Sequence, residues 1–238
     1  MARTTPNFRK RKERPRLPRR VARWLLRAVV ICAVVVALVL AVHRVAEPPP
    51  GHYMRTEAAR LGTISHDWVP LGAIAPVMAR AAVAAEDANF CRHWGFDMTE
   101  IRKVIAAGES RGASTISQQV VKNTYLWHGR SWPRKALEAL ITPLLELLWP
   151  KRRIVEVYLN TAEFDAGVFG IEAAARHYFD TTAADLRPAQ AARLAALLPA
   201  PKSRDAARPG DWLRQRAAAI LDGAATIDRD GRADCFED

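Results

Sequence analysis

The longest apolar run of the chain lies near its start and predicts a helix that crosses a membrane. Residues 28–42 carry no polar side chain, and residues 24–26 extend the run toward the N-terminus. Arg27 lies between the two parts and can reach the lipid headgroups with its charge. We therefore predict a transmembrane helix over 24–45. A cleaved signal peptide is the alternative, but we find no small-x-small cleavage site after the run.

Beyond a Pro-rich linker at 46–51, apolar residues recur three or four positions apart, as in amphipathic helices. No run of alternating strand residues is present, so we predict a mainly α domain over 52–225. Residues 52–72 are mixed, with an extended segment near Trp68. The predicted helices cover 74–85, about 97–107, about 114–126, a segment from 131, 151–160, 171–179, 188–198 and 210–223.

Local signals predict where several of these helices begin and end. Asp97 with Glu100 resembles a capping box, and Ser114 or Thr115 can cap the next helix. Pro143 should kink or break the helix that begins at residue 131. Residues 226–238 are polar, and we predict that they form a frayed C-terminal tail.

The net charge of +11 is concentrated at the N-terminus. Residues 1–27 contain eleven Lys or Arg and one Glu, which leaves a charge of +1 for the rest of the chain. A nearly neutral domain argues against nucleic-acid binding. The positive-inside rule places the basic tail, residues 1–23, in the cytoplasm and the domain outside the membrane, in a bacterial periplasm or at the cell surface. The tail can also contact anionic lipid headgroups.

The number of cysteines, three, fits poorly with a disulfide-stabilised scaffold. Cys32 lies in the predicted span, while Cys91 and Cys235 can pair outside the membrane, although nothing in their spacing demands it. No Cys/His cluster has the spacing of a zinc site, so we predict no protein-bound metal ligands.

Two glutamates are candidates for acid–base chemistry. Glu86 and Asp87 end an apolar helical run and precede aromatic residues, so burial should raise a carboxyl pKa there. A solvated helix end is the alternative. Glu138 lies one turn after Lys135 on the same helix face, where an i,i+3 ion pair worth a few tenths of a kcal/mol is the alternative. His93 fits a structural role better than that of a catalytic base.

A polar run and a group of cations follow the first glutamate. The hydroxyls and amides around the helix start at Ser114 suit a sugar or phosphate ligand. The nearby cations can hold a pyrophosphate or form a solvated face. The candidate binding residues are Ser114, Thr115, Gln118, Gln119, Lys122, Asn123, Arg130, Arg134 and Lys135.

Five segments, taken together, resemble the monofunctional peptidoglycan glycosyltransferases of glycosyltransferase family 51. They occur in the family's order, and the resemblance covers about residues 55–200. The matching segments are 86–97, 112–123, 134–138, 151–160 and 170–179. The resemblance implies a lysozyme-like helical fold behind a single membrane anchor and no transpeptidase activity.

The resemblance also implies that the protein polymerises lipid II into β-1,4-linked glycan with inversion and releases undecaprenyl pyrophosphate. Glu86 would be the general base, and Lys122, Arg130 and Lys135 would stabilise the leaving pyrophosphate. Glu138 would order those cations or a divalent cation, Mg²⁺ or Mn²⁺. Lipid II and the growing glycan chain would be the ligands, with cell-wall synthases or division proteins as candidate partners.

Some features depart from the family or leave alternatives. Asp180 stands where the family often has Gly, and Gln190 and Arg193 are also unusual for their positions. A membrane-anchored lytic transglycosylase or muramidase would use a Glu but has no need for the cation cluster, and a non-catalytic scaffold would not need either glutamate. Residues 144–149, or the segment around Trp68, are candidates for membrane contact, although core packing is favoured.

Overall fold

The computed structural model describes residues 19–108, 113–129 and 131–237. The chain divides into two units, residues 1–39 and 40–238. In the first unit, the described residues 19–39 are entirely helical and nearly all exposed. They belong to a helix, α1, that is the one candidate membrane span among the described residues by length and composition. The helix supports the predicted anchor, although it begins at Arg19 and ends at His43 rather than covering 24–45.

Eleven α helices are present in the described residues, and together they confirm the mainly α prediction. They are α1 (Arg19–His43), α2 (His52–Leu61), α3 (Pro76–Glu86), α4 (Met98–Ala107), α5 (Ile116–Tyr125), α6 (Trp132–Leu148), α7 (Lys151–Thr161), α8 (Ile171–Phe179), α9 (Pro188–Leu197), α10 (Asp211–Arg229) and α11 (Asp234–Glu237). Short 3₁₀ turns cover Leu71–Ala73, Phe90–Arg92 and Pro201–Ser203.

The second unit is built from two groups of helices. In one group, α3, α9 and α10 pack against one another, and their buried residues include Ala82, Ala195 and Ala224. In the other, α5 packs against both α6 and α7. The helix α3 also contacts α7, so the C-terminal end of α3 lies where the two groups meet.

A small sheet was not predicted from the sequence. Its strands are β1 (Ser65–His66), β2 (Glu163–Asp165) and β3 (Val168–Phe169), in the order β1-β3-β2. The strand β3 pairs in parallel with β1 and antiparallel with β2. Strands of two or three residues are too short to show an alternating pattern. The helix α2 was also not predicted, because the mixed segment 52–72 shows no clear helical periodicity.

The capping predictions are confirmed. The Asp97 carboxylate accepts the backbone N–H groups of Thr99 and Glu100, both at 2.9 Å, and begins α4. Thr115 and Gln118 form a complete capping box at the start of α5. Ser131 caps α6.

Of the two outcomes predicted for Pro143, a kink or a break, the break is wrong, because α6 continues from Trp132 to Leu148. The helix buries a face made by Glu138, Thr142, Leu145 and Glu146 on successive turns. This continuous face, together with a hydrogen bond of 2.7 Å from the Thr142 hydroxyl to the Glu138 carbonyl, holds the segment helical across the proline. In segment 144–149, Leu145 and Trp149 are buried while Leu147 is exposed, so that segment only partly serves the core.

The prediction of a frayed C-terminal tail is wrong for the described residues. The helix α10 runs to Arg229, and α11 follows it with Phe236 fully buried. A disulfide joins Cys91 to Cys235. The polar composition of this segment was therefore a poor guide to its structure, since one buried aromatic side chain and one disulfide bond hold it in place.

Asp180 adopts the left-handed conformation that ends α8, with φ of 49°. Glycine is the usual residue at such a C-cap, because it has no Cβ to oppose a positive φ. The frequent Gly at this position in the family therefore has a steric reason, and Asp180 adopts the positive φ at some cost in backbone strain. The other departures leave α9 intact, and Gln190 accepts the backbone N–H of Arg187 at 2.9 Å.

Candidate active site

Glu86 is the last residue of α3, and its side chain is mostly buried, with 15% exposed. Burial raises the pKa of the Glu86 carboxyl above its usual value, while the hydrogen bond from Gln119 and the charges of Arg216 and Lys122 act in the opposite direction. The solvated helix end that was the alternative reading is therefore wrong, and the raised pKa predicted from the apolar surroundings is confirmed.

Asp87 joins the end of α3 to the start of α5. One carboxylate oxygen accepts the backbone N–H of Ile116 at 3.0 Å, and the other lies 2.8 Å from Nε2 of His93. A carboxylate at a helix N-terminus is stabilised by the exposed N–H groups and the dipole of that helix. This contact sets the position of α5 relative to Glu86. The geometry also fits the structural role predicted for His93.

The polar residues of α5 divide into two groups. Thr115 and Gln118 are buried and hold the start of the helix. The Thr115 N–H donates to Oε1 of Gln118 at 3.1 Å, and the Thr115 hydroxyl donates to the Gly95 carbonyl at 2.7 Å. Gln119 faces Glu86 and donates a hydrogen bond of 2.9 Å from Nε2 to Oε2 of the carboxylate. Gln119 therefore contacts the candidate base directly.

Lys122 lies one turn beyond Gln118 and Gln119, and burial lowers the pKa of its ammonium. The charges that act on it include Glu138, Arg134, Glu86 and Lys135. In the described part of the chain, no hydrogen bond or ion pair engages its ammonium. A partly desolvated cation without a protein counter-ion in contact is suited to an anionic ligand.

Glu138 on α6 is buried and is paired with two cations. Arg134 donates to its Oε2 at 2.7 Å, and Lys135 contacts its Oε1. Lys135 also donates to the Ser114 hydroxyl at 3.1 Å. The i,i+3 ion pair with Lys135 that was the alternative reading is present, but the Glu138 side chain is only 2% exposed and also binds Arg134. The carboxylate fixes both cations beside the N-terminal end of α5.

Two cavities meet near Gln119 and Pro199, which line both of them. The first has a volume of about 450 Å³ and is lined by Lys122, among other residues. The second has a volume of about 560 Å³ and is lined by Glu86. We call them the Lys122 cavity and the Glu86 cavity. Further lining residues are Tyr53, Asn123, His128 and Lys202 in the former, and Asp87, Ser114, Thr115 and Arg216 in the latter.

Most of the predicted site residues are brought together by this arrangement. Gln118, Arg134, Lys135 and Glu138 line neither cavity, and Arg130 lies outside the described residues. Arg134 and Lys135 line a separate cavity, and Lys135 is linked to the Glu86 cavity through its hydrogen bond to Ser114. Arg216 on α10 was missed, although its Nη2 lies 4.0 Å from Oε1 of Glu86. No sequence signal near Glu86 could have revealed a residue 130 positions later, because their proximity depends on how α10 packs against α3.

The family model described as Transglycosylase matches residues 55–225. The chain belongs to the transglycosylase family. Glu86, Lys122, Glu138 and Arg216 all lie within the matched transglycosylase domain. Its bounds are close to the helical domain predicted at 52–225.

Similar proteins cover nearly the whole chain. A protein of Jannaschia sp. (strain CCS1) is 56% identical over 237 residues, which span 99% of each chain. A protein of Caulobacter vibrioides is 44% identical over 92% of this chain and 98% of its own length. A third, from Rhodospirillum centenum, is 45% identical over 94% of this chain and 97% of its own length. Each of these relatives is named biosynthetic peptidoglycan transglycosylase.

Two of the five transglycosylase segments mainly support the fold, although Tyr158 of segment 151–160 also lines the Lys122 cavity. In segment 151–160, the Asn160 amide exchanges hydrogen bonds of 2.9 and 2.8 Å with the backbone of Val69. In segment 170–179, Gly170 has φ of 82°, and a Cβ there would lie 3.0 Å from the Asn160 carbonyl oxygen. These residues explain why a long resemblance gives few additional site residues.

Proposed function

We propose that this protein is a peptidoglycan glycosyltransferase that polymerises lipid II into β-1,4-linked glycan strands. The observation that carries the proposal is the position of Gln119, which donates a hydrogen bond to Glu86 and lines the same cavity as Lys122. It brings a buried acid with a raised pKa next to a partly buried cation, in a chain that belongs to the transglycosylase family. Proton removal and stabilisation of an anionic leaving group are the two tasks that this transfer requires.

Glu86 acts as the general base in this proposal. Its Oε2 is held by Gln119, whereas Oε1 is directed toward Arg216 and has no hydrogen bond among the described residues. Oε1 therefore takes the proton of the acceptor's 4-hydroxyl as that oxygen attacks the anomeric carbon of the donor. The new glycosidic bond forms as the bond from the anomeric carbon to the pyrophosphate oxygen breaks. The electron pair leaves with the pyrophosphate, and the configuration at carbon inverts.

The cations on α5 and α6 receive the leaving group. Lys122 provides a charge that no counter-ion contacts within the described residues, while Arg134 and Lys135 are oriented by Glu138. Arg130 joins them in the proposal on the basis of the family resemblance. A cluster that is already positioned stabilises developing negative charge without first having to reorganise.

The two cavities suggest which substrate lies on which side. The acceptor sugar enters the Glu86 cavity, since its hydroxyl must reach the base. The pyrophosphate of the donor enters the Lys122 cavity, and the reacting atoms meet at the shared wall near Gln119. Ser114 and Asn123 are placed to bind sugar or phosphate from the two sides, while Thr115 and Gln118 support them by fixing the start of α5.

The residues around Glu138 do not fit a protein-bound divalent cation. Its two oxygens already accept from Arg134 and Lys135, and among the described residues no group of three or more His, Cys, Asp or Glu side chains could hold a metal. A further cation next to this paired cluster would meet like charge. The proposed mechanism therefore uses the side-chain cations alone and neither Mg²⁺ nor Mn²⁺.

Two features support a domain that works at the outer surface of the inner membrane. The helix α6 exposes the large apolar side chains Trp132, Leu140 and Leu147, and such a face suits contact with lipid. The disulfide of Cys91 and Cys235 forms in an oxidising compartment such as the periplasm. Together with the basic tail, this supports an N-terminus in the cytoplasm.

A glycan-cleaving enzyme is the other candidate function, but the cation cluster does not favour it. We would supply the full-length protein in detergent with lipid II in one reaction and with preformed glycan strands in another. We expect polymer from lipid II and no shortening of the strands. Shortening of the strands without polymerisation would overturn the proposal.

A further inference from the structure

Arg216 is the one charged side chain from the C-terminal helices that lines the Glu86 cavity, within the residues that the structure describes. Its Nη2 lies 4.0 Å from Oε1 of Glu86 and donates to the Ala85 carbonyl at 3.5 Å. Its Nε is buried and has no hydrogen-bond partner in the described part of the chain. A guanidinium that forgoes such bonds in a partly buried position needs a compensating interaction, and the carboxylate of Glu86 is the charge placed to provide one.

The surroundings of Arg216 restrict its movement. Its guanidinium carbon lies 5.7 Å from the centre of the Trp212 ring, one turn earlier on α10. Arg204 lies over the same ring at 4.0 Å. The helix α10 itself packs against α3, which ends at Glu86. Arg216 is thus held beside the carboxylate by the packing of two helices and an aromatic ring.

We propose that Arg216 is a positioning residue that keeps Oε1 of Glu86 ionised and directed into the cavity where the acceptor hydroxyl enters. This inference rests on the proposed function, because it assigns a role in the same reaction. Gln119 holds one oxygen of the base, and Arg216 faces the other. The pair therefore sets both the orientation of the carboxylate and the oxygen that takes the proton.

Several other charged or titratable groups act on Glu86 from the elements around it. Asp87 follows it directly, Lys122 lies on α5, and Tyr158 lies on α7. The helix α9 carries a single charged residue, Arg193. Asp97 and Glu100 line the same cavity. Burial and Asp87 favour the protonated acid, so Arg216 and Lys122 are the charges that oppose them, and only Arg216 lines the cavity with Glu86.

The test compares the pH dependence of kcat/KM for lipid II polymerisation in the full-length protein and three variants. Arg216→Met removes the charge but keeps an apolar stem on α10. Arg216→Lys restores a charge. Arg214→Met is the matched control, since Arg214 is an exposed residue on the same helix that pairs with Asp211. Thermal unfolding of each variant shows that the fold is intact.

In Arg216→Met, we expect the acidic limb of the profile to move about one pH unit upward, because an opposite charge within about 4–6 Å favours the ionised acid. Polymerisation on that limb should fall about tenfold, with a smaller loss at high pH. Arg216→Lys should return the limb most of the way toward the wild-type position, and Arg214→Met should leave it unchanged.

Two results would overturn the role of Arg216. One is an acidic limb of the kcat/KM profile that stays at the wild-type pH in Arg216→Met. The other is an acidic limb that moves as far in Arg216→Lys as in Arg216→Met. If Arg216→Met does not fold, Arg216→Gln makes the same comparison with a polar side chain of similar length. Failure of the wild-type protein to polymerise lipid II would instead refute the proposed function, so the two failures are distinguishable.

Discussion

Replacing Asp87 by Ala tests whether this carboxylate joins α3 to α5. The change removes the acceptor of the Ile116 N–H at 3.0 Å and the partner of His93 at 2.8 Å. Ile116 is fully buried, and Nδ1 of His93 is already buried without a partner in the described structure. Each buried group left unsatisfied costs about 1–3 kcal/mol, so we expect a loss of about 4 kcal/mol in the free energy of unfolding.

For a domain of this size, about 1 kcal/mol lowers Tm by about 2–4 °C, so Asp87→Ala should lower Tm by about 8–16 °C. The assay is thermal unfolding of the full-length protein in detergent, followed by circular dichroism. Asp67→Ala is the control, since Asp67 is an exposed aspartate without a hydrogen bond or ion pair among the described residues. Its change should stay within about 0.5 kcal/mol. A Tm for Asp87→Ala within about 2 °C of wild type would refute the bridging role.

Three further predictions concern the stability of the domain. Asp180→Gly should stabilise it by about 1 kcal/mol in urea unfolding, because glycine accepts the positive φ; an unchanged or lower midpoint would contradict this. Cys235→Ser should cost about 2–5 kcal/mol and expose the C-terminal helix to protease, whereas equal protease resistance would show that the disulfide does not hold this end. Glu86→Gln should be more stable than wild type at neutral pH, because a raised pKa in the folded state means that ionised Glu86 costs stability there. That difference should shrink as pH falls through the raised pKa toward the ordinary value of 4.5, and a gap that does not change with pH would count against the burial argument.

The helices were largely predictable because their signals are local. Caps at Asp97, Thr115 and Ser131 begin helices where the sequence predicts them, and 171–179 matches α8 in full. The helix α2 and the strands were missed because short or mixed segments carry little periodicity. Pro143 shows the converse case, in which the packing of a buried face overrides a strong local signal.

The candidate site was only partly predictable. The acids and cations are chemically distinctive, and their resemblance to a family pointed to them before any geometry was known. Which side chains face the cavities depends on tertiary packing, however, so Gln118 was included although it serves the capping box. Arg216 was missed for the same reason, since only the contact between α3 and α10 brings it to Glu86.

The central claim is that Glu86 removes the proton from the acceptor while cations beside it receive the pyrophosphate. The most direct measurement compares the rate of lipid II polymerisation by the wild-type protein and by Glu86→Gln, with thermal unfolding as the check on the fold. We predict a loss of about 10²–10⁴-fold in rate, the usual contribution of a general base, in a variant that remains folded. A folded Glu86→Gln protein that polymerises lipid II at the wild-type rate would contradict the account.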